Sequence, residues 1–146
     1  MAGQQGGGRA EARSRLHPGD RLGLLAAAWL RLLREGDSAG LGDLLDDRVI
    51  WQGILPQQVC DGRDEVLTLI GRQLRRQLRL TRFDAEEAGD RVAVSVASPD
   101  FPAMPDQPAD APRSLVFTFA GTRVVRMDSY PSREAAWAAL AVPEER

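Results

Sequence analysis

The second half of this chain changes face at every residue. From Arg91 to Ala97 the run Arg-Val-Ala-Val-Ser-Val-Ala places valine at every second position. Ser114 to Phe119 repeats the pattern with Leu115, Phe117 and Phe119. A period of two fits strands that bury one face and not helices. Ala120-Gly121 joins this run to a third, Thr122 to Tyr130, as a tight hairpin turn. A further strand is expected earlier, over Leu78 to Ala85. The connection from Pro99 to Pro112 carries five prolines and reads as a loop. Consecutive strands without intervening helices predict an antiparallel sheet, and its apolar face must be covered by something else.

The first half supplies the cover. Asp20 is placed to cap a helix, and Leu22, Leu25, Trp29 and Leu32 recur at helical spacing along it. Gly36 ends it. Ser38 starts a second short helix whose apolar face is Leu41, Leu44 and Leu45. Val49 to Gln52 reads as a first strand, and Gly53 to Cys60 as a loop or short hairpin. Asp61-Gly-Arg-Asp64 opens a third helix, with Asp61 as cap. Val66, Leu67, Ile70 and Leu74 line one side of it, and Arg72, Arg75, Arg76 and Arg79 the other, as on a solvated helix. Ser132 caps a closing helix, Arg133 to Leu140, expected at the mouth of the fold. Residues 1–18 hold almost no apolar anchors and are expected to be a disordered tail, and residues 143–146 a short tail. The domain is therefore predicted over residues 19–142, with an α+β architecture of three helices packed on a curved, mostly antiparallel sheet.

Inventory removes several chemistries. The one histidine, His17, lies in the predicted tail, so neither a Ser-His-Asp nor a Cys-His arrangement has a base. Zinc and iron lack their usual ligands, and no cofactor or metal is expected. Cys60 is the only cysteine, which excludes an intrachain disulfide. All 19 basic residues are arginine and asparagine is absent, a bias of genome base composition that discounts any arginine cluster as a signal. With a net charge of −2, nothing favours nucleic acid or an anionic membrane as partner. No apolar run reaches the roughly 18 residues of a membrane span. The stretch before Leu22 has no apolar leader, so a cytoplasmic protein is expected.

Four local patterns occur in a telling order: Leu33-Arg-Glu-Gly-Asp37, Leu45-Asp-Asp-Arg-Val-Ile-Trp51, Gly62-Arg-Asp-Glu-Val66 and Gly121-Thr-Arg-Val-Val-Arg-Met-Asp-Ser-Tyr-Pro-Ser-Arg-Glu134. Together they resemble the nuclear transport factor 2-like superfamily, and within it the SnoaL-like polyketide cyclases, over about residues 20–141. The resemblance implies a cone-shaped domain around a pocket for a small apolar molecule. It also implies a homodimer, here through a small-residue patch of Ser95, Ala97, Val116 and Thr118. Fold alone does not select among the activities of this superfamily. The positions of a ketosteroid isomerase fall on Trp29, Gln52 and near Leu115, which cannot shuttle a proton. A limonene epoxide hydrolase comparison keeps one acidic position, Asp128, while Trp51, Gly53, Val96 and Ser98 replace the other polar groups. Asp128 is thus the candidate catalytic carboxylate.

If alternation turns Val124, Arg126, Asp128 and Tyr130 into the cone, Asp128 lies beside Arg126 and a phenol. If Val125 and Met127 are core instead, Asp128 faces solvent or a partner. The candidate pocket is Trp29, Trp51, Gln52, Leu115, Phe117, Arg126 and Tyr130, though aromatics at these spacings also suit plain core. Two functions remain open: acid–base chemistry on a polyketide-like or terpenoid substrate, or a non-catalytic ligand-binding or dimerisation module.

Overall fold

The computed structural model describes residues 21–74, 79–101, 103, 107–108 and 111–142. The terminal segments, His17, the Asp20 cap and Arg75 and Arg76 lie outside these. The described elements are α1 (Arg21–Glu35), α2 (Ser38–Leu44), β1 (Leu45–Gln52), β2 (Val59–Asp61), α3 (Arg63–Leu74), β3 (Arg82–Ala88), β4 (Arg91–Ala97), β5 (Arg113–Ala120), β6 (Arg123–Tyr130) and α4 (Arg133–Ala141). The strands form one six-stranded sheet in the order β2-β1-β6-β5-β4-β3. All neighbours are antiparallel except β1 and β6, which run parallel. The sheet is mixed because the first strand reaches its place beside the last only after the helices have been laid down.

α1 ends as its glycine predicts. Gly36 takes φ of +72°, a conformation open to glycine at little cost. Its N–H donates to the Leu33 carbonyl at 3.2 Å, and Asp37 N–H to that of Leu32 at 3.0 Å. This paired closure satisfies the last helical carbonyls. Asp37 then caps α2, its Oδ1 accepting from Gly40 N–H at 2.9 Å. α3 differs in detail from expectation. Asp61 belongs to β2 and the helix begins behind Gly62, with Glu65 Oε1 reaching back to accept from Asp61 N–H at 2.8 Å. β3 starts later than expected, at Arg82, and Arg79 lies outside α3.

One face of the sheet packs on α1, α2 and α3. Ala26 and Trp29 of α1, Leu41 of α2 and Val66 of α3 meet Val92, Val94, Phe117, Val124 and Met127 in a single core. Leu41, Leu45, Val49, Val66 and Val92 have no exposed surface, and burial of each such side chain is worth about 1.5–3 kcal/mol.

The opposite face holds a departure from the sequence reading. α4 does not close a mouth. It lies across the outer face, where Ala136 and Leu140 pack on Ala93 and Val116. Polar contacts fasten it along its length. Arg133 Nε lies 3.7 Å from Asp84, Trp137 Nε1 donates to Glu86 at 2.7 Å, and Arg91 donates to the carbonyls of Ala139, Leu140 and Val142. The small residues that predicted a meeting face for two copies are thus partly covered by the chain's own helix. Val116 is 2% exposed, and Ser95 is buried with its Oγ bonded to Ser114. Small side chains on a sheet let an alanine-rich helix approach as readily as a second sheet, and the sequence does not say which arrives.

Candidate functional site

The inner face of the sheet does not meet α1 along its whole length. Between them lies a cavity of about 170 Å³. Its walls are aromatic. Trp29 comes from α1, Trp51 from β1, Phe83 from β3, Phe117 from β5 and Tyr130 from β6, while Phe101 comes from the β4–β5 connection. Six of the chain's eight aromatic residues therefore border one space. Trp29 meets Phe117 edge-on, with centroids 5.5 Å apart and planes at 87°. Such T-shaped contact fixes both rings. Gly53 makes room for the Trp51 indole, since a Cβ there would lie 2.8 Å from Trp51 Cη2 and 2.6 Å from Gln58 Cβ. Leu30, Leu33, Val94, Val96, Leu115 and Met127 add to the apolar lining.

Of the residues singled out in the sequence, Trp29, Trp51, Leu115, Phe117 and Tyr130 line the cavity. Gln52 on β1 does not, nor do Arg126 and Asp128 on β6, where the strand is not regular. β6 pairs Arg126 with Thr118 but Val124 with Phe119, so Val125 is an extra residue and forms a bulge. A bulge breaks alternation. Val124 and Met127 sit in the inner core, whereas Asp128 pairs with Val116 on the outer face. There Arg126 Nε donates to both Asp128 oxygens at 3.0 Å. Gln52 is the β1 partner of Asp128. Its Nε2 lies within reach of the carbonyls of Gly53, Leu55, Pro56 and Gln58, bracing the β1–β2 turn.

Sequence reasoning passed over Phe83, Phe101, Gln107, Arg113, Met127 and Ser129, which also border the cavity. For Phe101 a signal existed: a large apolar residue inside a proline-rich connection has no reason to be there unless it is buried.

The polar side chains at the cavity are the amides of Gln58 and Gln107, the Ser129 hydroxyl and the Arg113 guanidinium. Ser114 and Tyr130 border it from strand positions that share the outer face with Val116 and Asp128, where Ser114 Oγ donates to Ser95. Among the described residues that line it there is no aspartate, glutamate, histidine or cysteine. Burial, and secondarily the Asp128 carboxylate, pushes the Tyr130 phenol above its usual 10.0, against smaller pulls from Arg91 and Arg126. Tyr130 thus keeps its proton near neutral pH. Hydroxyls, amides and a guanidinium orient a ligand, but none abstracts a proton near neutral pH. Among the described residues no group of three or more His, Cys, Asp or Glu is placed to hold a metal ion. No helix among them is long and apolar enough to cross a membrane.

An inward-facing cavity between a mixed sheet and three helices defines the class: the fold is that of the nuclear transport factor 2-like proteins, with the α+β form seen in SnoaL-like members. No family model and no curated protein sequence matches the chain. Solved structures do. A protein of ketosteroid isomerase-like fold from Catenulispora acidiphila, in complex with trimethylamine, superposes with a TM-score of 0.59 at 17% identity, covering 82% of this chain and 93% of its own. A candidate polyketide cyclase from Pseudomonas putida gives 0.58 at 18% identity, covering 81% and 96%. An NTF2-like protein of unknown function from Cytophaga hutchinsonii gives 0.57 at 10% identity, covering 77% and 91%. At these identities the likeness is one of fold.

Proposed function

We propose that the chain binds a small neutral molecule of about one ring in its aromatic cavity, and that it binds this molecule without converting it. The observation that carries the reading is that six of eight aromatic residues border one space whose described lining includes no carboxylate or histidine. The size supports it: an apolar protein cavity of about 150 Å³ takes up benzene. The amides and hydroxyls at the edge suit a ligand with one polar substituent. Catalysis by Asp128 would require a substrate on the outer face of β6, where Arg126 neutralises the carboxylate.

The test uses p-cresol as probe and trimethylammonium as its counterpart. A ligand held 100-fold above its Kd stabilises the folded state by about 2.7 kcal/mol. In a chain of this size that raises the melting temperature by roughly 5–10 °C. p-Cresol is expected to do so. Trimethylammonium is expected to fall short, because no described lining residue is a carboxylate that would pair with a cation. Asp128→Asn is expected to leave p-cresol affinity within about twofold. No binding of p-cresol, or its loss in Asp128→Asn, overturns the reading.

A further inference from the structure

Five of the six cavity aromatics are set in helices or strands. Phe101 alone stands on a connection, between β4 and β5. Its ring is 6% exposed and packs on Leu30 and Val96, two other lining residues, with Leu80 and Phe83 alongside. The backbone that presents it is pinned. Phe101 N–H donates to the Ser98 carbonyl at 3.4 Å, and Asp100 N–H to Ser98 Oγ at 3.0 Å. The Asp100 carboxylate accepts from the backbone N–H, Nε and Nη2 of Arg79, each at 3.0 Å. The Arg113 guanidinium carbon lies 4.8 Å from the ring centroid.

These contacts hold a side chain from a loop as a fixed wall. The hydrogen bonds from Arg79 hold the Asp100 carboxyl at a pKa of about 2, so the clasp stays closed throughout the physiological range. A wall that does not belong to the sheet or to α1 is also the one wall that can be cut back without removing a piece of the main core. Trp29 and Phe117 belong to the central cluster, whereas Phe101 belongs to a separate cluster with Leu30 and Val96.

We propose that Phe101 is the residue that sets the size of molecule the cavity admits, limiting it to a single ring. This rests on the cavity being a ligand site. Removing the phenyl ring opens space for a second fused ring, and enlarging it to an indole fills the space the first ring needs. Discrimination of hydrophobic ligands by pocket shape runs at roughly 10–200-fold for a methylene-sized change, so a whole ring is expected to give at least that.

The experiment is calorimetric titration of the full chain with p-cresol and 2-naphthol, each neutral near pH 7. Wild type is expected to bind p-cresol about tenfold or more tightly than 2-naphthol. Phe101→Ala is expected to reverse the order, with 2-naphthol gaining about tenfold. Phe101→Trp is expected to lose p-cresol by a similar factor. If wild type binds p-cresol but both variants keep its preference, Phe101 is not the size filter and the ligand site stands. If wild type binds the two probes equally, the proposal fails in the same way. If wild type binds neither, the ligand site itself falls, and the size filter with it. Should Phe101→Ala fail to fold by circular dichroism, Phe101→Leu and Phe101→Trp carry the same comparison with smaller changes in volume.

Discussion

Tyr130 sits at the end of β6, where it borders the cavity and also packs against the cluster of Ala93, Val116, Ala136 and Leu140 under α4. It is the only tyrosine in the chain, so absorbance near 295 nm follows its ionisation alone. Its phenol is raised above 10.0 first by burial and then by Asp128. A group whose folded pKa exceeds its unfolded one binds its proton more tightly in the folded chain. Its share of stability is therefore complete below pH 10 and is lost as pH rises through the folded value. The titration midpoint is expected above 10, and Asp128→Asn is expected to bring it down, because one raising charge is gone and Arg126 is released to pull the other way. A midpoint at or below 10 in the wild type would mean that the phenol is solvated and not part of the cavity wall.

At the scale of elements, periodicity proved a good guide and irregularity did not. Valine alternation in β4, the Schellman-type closure at Gly36 and the Ser132 cap were all legible, because each is a local rule acting on adjacent residues. The bulge at Val125 was not, since nothing in Arg-Val-Val-Arg-Met marks which residue the partner strand will skip. That one residue decides that Asp128 faces outward. The parallel pairing of β1 with β6 and the docking of α4 are likewise long-range outcomes. α4 itself can be weighed. Leu140 is 5% exposed over Ala93 and Val116, and truncation to alanine is expected to cost about 2–3 kcal/mol, the low end for leucine because the site is near a chain end. Arg91→Ala removes donors from the last carbonyls of α4 and is expected to cost about 1 kcal/mol. Urea denaturation measures both. An order reversed, with Arg91 the costlier, would show that polar latching and not apolar packing keeps α4 on the sheet.

For the whole molecule, what the docking of α4 leaves available decides assembly. A stable pair of proteins buries about 1,200–2,000 Å² in all, with an apolar centre. The large apolar side chains exposed among the described residues are Leu24, Val59 and Val142, which stand on α1, on β2 and beyond α4. They stand on or beside three different elements. The outer sheet face, where two copies were expected to meet, carries α4 over Ala93 and Val116, and the strip beside it holds the Arg126–Asp128 pair. Sheet edges offer another route, but β2 has three residues, and β3 carries Arg82, Asp84, Glu86 and Glu87. A short edge and a charged one both resist addition of a strand. Light scattering at micromolar concentration is therefore expected to give the mass of one chain, 16.0 kDa. A doubled mass would point to pairing through another surface, or to an α4 that leaves its own sheet. Arg91→Ala separates these, because loosening the latch strengthens a dimer built by exchange of α4 and leaves any other dimer unchanged.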